Sequence, residues 1–115
     1  MDIQIITKPI TKDELKRIAA EWGMGEMVKA VIDVERGSMA IGGELHADAN
    51  KELLDAGSRQ TDIWGINLYP TWPEAQWIEF TSLINIRPAQ GNRKMEIQDE
   101  SLKEKIREHV KRLIV

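Results

Sequence analysis

Three residues that could bind a metal or carry a proton alternate just after a pair of glycines. Glu44, His46 and Asp48 follow Gly42-Gly43, and in an extended chain side chains at every second position point to the same side. Carboxylate oxygens and an imidazole nitrogen suit hard or borderline divalent cations, and a histidine beside carboxylates can also serve as a proton carrier. The pattern predicts a metal or acid–base site. The plainer interpretation is a loop in which Asp48 caps a helix.

A second polar group is rich in hydrogen-bond donors and follows the last long apolar segment. Its members are Asn85, Arg87, Gln90, Asn92 and Arg93. A guanidinium offers a two-pronged donor to a carboxylate or phosphate, and the amides of a Gly/Asn turn can surround an anion. We therefore expect a small anionic ligand here, in either a binding protein or an enzyme. In the plainer interpretation, Arg87 pairs with acidic residues of a neighbouring strand and the remainder only turns the chain.

A third set of polar residues follows from the alternation in the segment that ends at Tyr69. There Asn67 and Tyr69 fall on one side of a predicted strand, and the large apolar residues fall on the other. If this strand neighbours the segment with Asn85 and Arg87, these side chains form the floor of a cleft, with Glu79 as a nearby carboxylate. A solvated outer face of an antiparallel sheet is the alternative.

Three segments combine a helical spacing of apolar residues with a polar capping residue: 12–22, 48–56 and 100–114. Thr11 and Glu14 have capping-box spacing before the first helix. Asp48 and Asp99 are the predicted N-caps of the second and third. These helices must pack on whatever sheet the rest of the chain forms.

Short runs rich in β-branched or aromatic residues, bounded by Gly or Pro, predict strands over 2–7, 27–35, 38–42, 62–69 and 77–88. The last run is either one bent strand or two strands. Arg36-Gly37 and Pro70–Pro73 supply hairpin connections. Because hairpins outnumber βαβ units, we expect an α+β fold: a mostly antiparallel sheet of five to six strands with two or three helices packed on one face. Residues 1–115 should form a single domain.

The charge balance limits the classes of partner. Sixteen basic residues are interleaved with nineteen acidic ones, for a net charge of -3, so nucleic acid is disfavoured as the main partner. No apolar run approaches the ~18 residues that a membrane span needs, and residues 1–10 lack the apolar core of a signal peptide. The chain has no cysteine, which is compatible with a reducing compartment. We expect a cytoplasmic protein that does not enter a membrane.

Trp72 lies between two prolines in a predicted loop. An exposed indole is a common anchor at protein interfaces, and a hairpin-rich sheet has edges to cover. The chain also lacks the Walker, GxGxxG, GxSxG and HExxH signatures of familiar cofactor and catalytic sites. An interaction or homo-oligomerisation module is therefore the alternative to a ligand-binding protein.

Four strings and one short turn carry a resemblance over nearly the whole chain: 29–35, 39–48, 64–70, 82–88 and 91–93. The strings MAIGGELHAD and SLINIRP, the latter continued by GNR, are its most specific parts. In these segments the sequence resembles a family of small prokaryotic proteins catalogued as domain of unknown function 5674. The resemblance implies one intact domain, and it implies no activity, cofactor or site residue.

Overall fold

The computed structural model describes residues 2–23 and 25–115. Its strands are β1 Gln4–Ile6, β2 Val28–Asp33, β3 Met39–Ile41, β4 Ile63–Leu68 and β5 Ile78–Glu79, and its helices are α1 Lys12–Trp22, α2 His46–Asp55 and α3 Glu100–Leu113. The five strands form one sheet in the order β1-β3-β2-β4-β5, and every neighbouring pair is antiparallel. The predicted α+β class and antiparallel sheet are confirmed.

The sheet is covered on both faces, because β2 is apolar on both. Ile32 packs in the larger core with Ile18 of α1 and Ile106 of α3. Val31, which points the other way, packs in a smaller core with Leu53 of α2. The expected single helical layer therefore holds for α1 and α3 and is corrected for α2, which lies on the opposite face. Strict alternation places Val31 on the same side of β2 as the charged residues Lys29 and Asp33, so the sequence pattern gives little sign of an apolar surface for a helix there.

Helices α1 and α3 begin where their capping residues predict. The Thr11 hydroxyl accepts a hydrogen bond from the Glu14 amide at 3.1 Å, and the Asp99 carboxylate accepts from the Ser101 amide at 2.9 Å. Gly23 ends α1 with a positive φ of 64°, as a left-handed C-cap requires. No helix in the described residues is both long and apolar enough to cross a membrane.

Helix α2 begins two residues earlier than the sequence predicts. His46 is its first residue, and Leu45 takes the N-cap position. Asp48 therefore lies in the first turn, where its carboxylate accepts a hydrogen bond from the Leu45 amide at 3.1 Å. The prediction of Asp48 as N-cap is corrected: its side chain binds an orphan N–H at the helix start from within the helix.

The predicted strand over 77–88 is largely wrong. Regular pairing ends at Glu79, and two single-turn 3-10 helices follow, over Leu83–Asn85 and Pro88–Gln90. Ser82 opens the first of them by accepting a hydrogen bond from the Ile84 amide on its hydroxyl, at 3.3 Å. This local side-chain bond competes with strand pairing, and Pro88 has no N–H to give to a ladder. Asn85 and Arg87 consequently do not share a strand face.

Candidate functional site

A row of polar side chains crosses the sheet on the face that α2 covers. Lys29 of β2 is paired with Asn67 of β4, and Asn67 is paired with Glu79 of β5. Directly paired residues of neighbouring antiparallel strands project from the same face. His46, at the start of α2, reaches this part of the sheet, since its Nε2 lies 2.8 Å from the Ile66 carbonyl oxygen.

We call Lys29, His46, Asn67, Tyr69 and Glu79 the polar cluster. Within it the Glu79 carboxylate is fixed by two donors: Asn67 Nδ2 at 2.7 Å and the Tyr69 hydroxyl at 3.3 Å. Partial burial, with Glu79 beside it, raises the pKa of Tyr69, so the phenol remains a donor at neutral pH. The cluster thus presents a carboxylate of fixed orientation on the face of the sheet that α2 covers.

Asn67 is buried, and its amide orientation is determined by its neighbours. Its Nδ2 donates to Glu79 and also to the Thr81 carbonyl oxygen at 3.3 Å. Both of these groups only accept, so the amide cannot be turned over without losing both bonds. Its Oδ1 has no hydrogen-bond partner, and among the described residues it is the one buried side-chain polar atom of which this is true. Leaving such an atom unpaired costs roughly 1–3 kcal/mol.

His46 is buried and neutral. The Ile66 carbonyl only accepts, so we assign the ring proton to Nε2, which leaves a lone pair on Nδ1. Burial lowers the pKa of His46 below 6.5, and the charge of Lys29 acts in the same direction; the Ile66 carbonyl, the Asn67 side chain and Glu79 oppose the shift. The first turn of α2 also disfavours a positive ring, because the helix dipole is positive there.

Lys29 is half-buried and makes no ion pair within the described part of the chain. Lys29 is not among the site residues predicted from the sequence. The signal was available, because Lys29 is a lone charge between Val28 and Ala30 in a strand whose apolar residues are buried. A partly desolvated ammonium that makes no direct ion pair is a candidate binding group.

The three residues of the predicted metal site do not converge. The expected alternation needs an extended chain, but α2 begins at His46, where helical geometry separates positions two apart. His46 contacts Ile66 in the sheet, whereas Asp48 binds the Leu45 amide and Glu44 is exposed. Across residues 2–23 and 25–115, no group of three His, Asp or Glu side chains is arranged to hold a metal ion. Of the three, only His46 belongs to the polar cluster.

The guanidinium of Arg87 makes its contacts with other groups of the protein. Its guanidinium donates to the carbonyl oxygens of Ile84 at 2.9 Å, Gln60 at 2.7 Å and Ile63. It also stacks on the Trp64 ring, 4.3 Å from the centroid. Burial lowers the pKa of this guanidinium. Arg87 therefore fastens an irregular segment to the start of β4 and has little capacity left for an anion.

Asn85 and Asn92 are also used structurally. The Asn85 amide makes two hydrogen bonds with the backbone of Gly65. Asn92 donates to the carbonyl oxygens of Asn85 at 2.8 Å and Lys94 at 2.9 Å, and it accepts from the Gln98 amide at 2.9 Å. In this segment, which has little regular structure, the two side chains make hydrogen bonds to backbone groups that strand pairing would otherwise make.

Gln90 and Arg93 complete the predicted loop site. Gln90 Nε2 donates to the Thr61 carbonyl at 3.0 Å, and the Arg93 side chain is exposed. A cavity of about 360 Å³ adjoins Gln90 and Asn92. Its charged lining residues are three acids and one base: Glu35, Asp62, Asp99 and Lys105. This excess of negative charge disfavours an anion beside the loop.

The predicted floor of Asn67, Tyr69 and Glu79 does come together. Its companions are His46 and Lys29. They take the place of the predicted donor group, which we call the arginine loop: Asn85, Arg87, Gln90, Asn92 and Arg93. Trp72 lies next to it: its ring stacks on Tyr69 at 4.0 Å, and its Nε1 donates to Glu26 at 2.6 Å. Trp72 nevertheless remains exposed, at 39%.

The sheet order, the helices on both faces and the polar cluster define a small antiparallel α+β protein with a polar site beneath the start of one helix. Residues 4–113 match the family described as protein of unknown function, DUF5674. The chain belongs to that family. No curated protein and no solved structure matches it.

Proposed function

We propose that the polar cluster binds a small molecule through a carboxylate or phosphate group. The observation that carries the proposal is Lys29, a half-buried ammonium with no ion pair in the described residues. Pairing with an anion offsets the free-energy cost of partial desolvation. The nearby first turn of α2 adds partial positive charge.

The other members of the cluster indicate what else the ligand carries. Glu79 is held by Asn67 and Tyr69, and a carboxylate fixed in this way can accept from a hydroxyl or amine of the same ligand. The row spans three strands, which is roughly 10 Å at the usual strand spacing. We therefore expect a small ligand in which an acidic group lies near a hydroxyl or amine. The neutral His46 beside it suits either simple binding or proton transfer.

Thermal-shift and calorimetric titrations with acetate, lactate, glycine and inorganic phosphate test the proposal, because a ligand of the folded state raises its unfolding midpoint. Lys29→Met should abolish binding. Lys94→Met is the matched control, since Lys94 is exposed and lies outside the cluster. Arg93→Met tests the arginine loop, which remains a prediction. Binding that survives Lys29→Met, or no binding to any probe, overturns the proposed site.

A second candidate function is self-association. Two large apolar side chains are exposed near α2: Leu83 at 72% and Leu45 at 63%. Such residues favour a second copy of the chain when they lie in one patch. Sedimentation of the wild type and of Leu83→Asp tests this candidate, and a monomer at all concentrations rejects it. For the compartment, we propose the cytoplasm, since a chain without cysteine suits reducing conditions.

A further inference from the structure

Hydrogen bonding around Asn67 is incomplete in one specific way. Both Nδ2 donor positions are used, while Oδ1 is buried and unpaired. The missing partner is a donor. The Asn67 side chain lies beside the His46 ring, where it favours the protonated ring. A protonated imidazole has a second N–H, so a proton on His46 would supply that donor while Nε2 remains bonded to Ile66.

The charges that face His46 come from two strands. Lys29 of β2 opposes protonation of the ring, and Glu79 of β5 favours it. On the segment of His46 itself, Glu44 is exposed and Asp48 is bonded to the Leu45 amide. With a neutral ring, the charges of Lys29 and Glu79 cancel. A bound monoanion leaves the cluster with an excess negative charge, and one proton restores neutrality.

We propose that His46 takes up a proton from solvent when the cluster binds an anion, so that the anion and the proton bind together. This inference rests on the proposed function. An anion on Lys29 weakens the repulsion that Lys29 exerts on the ring. The added proton goes to Nδ1, and the new N–H pairs with Asn67 Oδ1 or with the anion. Because linkage is reciprocal, the affinity for the anion rises as the pH falls toward and below neutrality.

The test uses the two histidines of the chain, whose ring resonances NMR can follow separately once His46→Gln has identified the signal of His46. Acetate and sulfate are the probes, because their charge is constant over about pH 6 to 8. We expect either probe to raise the pKa of His46. Each unit of that rise corresponds to about a tenfold gain in anion affinity at low pH.

Two variants separate this role from a purely structural one. Lys29→Met should raise the pKa of His46 without any probe and remove the response to the probes. Asn67→Val should lower the pKa of His46 and make anion binding depend less on pH. If Asn67 had only a packing role, the variant that still folds would show the same His46 titration as the wild type. If a probe binds through Lys29 while the His46 titration stays the same, proton uptake is overturned and the binding site stands. If neither probe binds, the proposed function itself fails.

Discussion

The side-chain amide of Asn85 and the backbone of Gly65 form a closed pair of hydrogen bonds. Asn85 Nδ2 donates to the Gly65 carbonyl at 2.9 Å, and the Gly65 amide donates to Asn85 Oδ1 at 2.8 Å. One edge of Gly65 is paired with Val31 of β2. On the other edge of β4, the pairing with β5 does not extend to Gly65. Asn85 supplies the hydrogen bonds that a neighbouring strand would make there.

Asn85→Ala should therefore lower the free energy of unfolding by about 2–6 kcal/mol, since it leaves two buried polar groups of Gly65 unpaired at roughly 1–3 kcal/mol each. Urea unfolding measures the change. Asn50→Ala is the control, because Asn50 makes an equally reciprocal amide pair, with Gln60, at the surface. Equal losses for the two variants would contradict the assigned role of Asn85.

Arg87→Met should destabilise the protein by about 1–3 kcal/mol, because three carbonyl oxygens lose a charged donor. Arg93→Met should change stability by no more than ~0.5 kcal/mol, as is usual for an exposed side chain. Neither variant should alter the binding of acetate or phosphate. If a folded Arg93→Met variant lost anion binding, the anion site would lie at the arginine loop and not at the polar cluster.

Stability should decrease as the solution becomes more acidic than the ordinary histidine pKa of 6.5. The pKa of His46 is lowered in the folded state, with burial as the largest cause, so below pH 6.5 the unfolded chain binds more protons than the folded one. The stability that neutral His46 contributes is complete above 6.5 and is lost as the pH falls through the folded pKa. Chemical unfolding of the wild type and of His46→Gln at several pH values measures this. The variant should lose less stability over the acidic range, and parallel curves would refute the assignment.

Gly42→Ala should be more destabilising than Gly25→Ala. Both glycines have positive φ, 112° and 71°, so both substitutions strain the backbone. A Cβ at Gly42 would lie 2.4 Å from Nε1 of Trp22, whereas a Cβ at Gly25 meets no other part of the described chain within 4 Å. The difference in thermal midpoint between the two variants isolates the contact of Trp22 with the backbone. Equal midpoints would show that this contact can relax.

Local patterns predicted the parts of the fold in which local interactions dominate. Capping by Thr11 and Asp99 fixed the starts of α1 and α3, and the alternation along β4 placed Asn67 and Tyr69 on one face. Contacts distant in sequence determine the rest. Three residues whose backbone binds the side chains of Asn85 and Arg87 lie 20 or more residues away: Gly65, Gln60 and Ile63. A local sequence pattern could not predict this structural use of the two side chains. His46 belongs to the polar cluster because α2 covers the second face of the sheet. The packing of α2 on that face depends in turn on the burial of Val31.

The pairing of Asn85 with Gly65 also makes one peptide group a reporter of local unfolding. The amide of Gly65 is bonded to Asn85 across a separation of 20 residues, and its protection against hydrogen exchange depends on that side chain alone. Neighbouring amides of β4 that point toward β2 are protected by the central sheet itself. Exchange that is faster at Gly65 than at those amides would measure how often the irregular segment around Asn85 leaves an intact sheet.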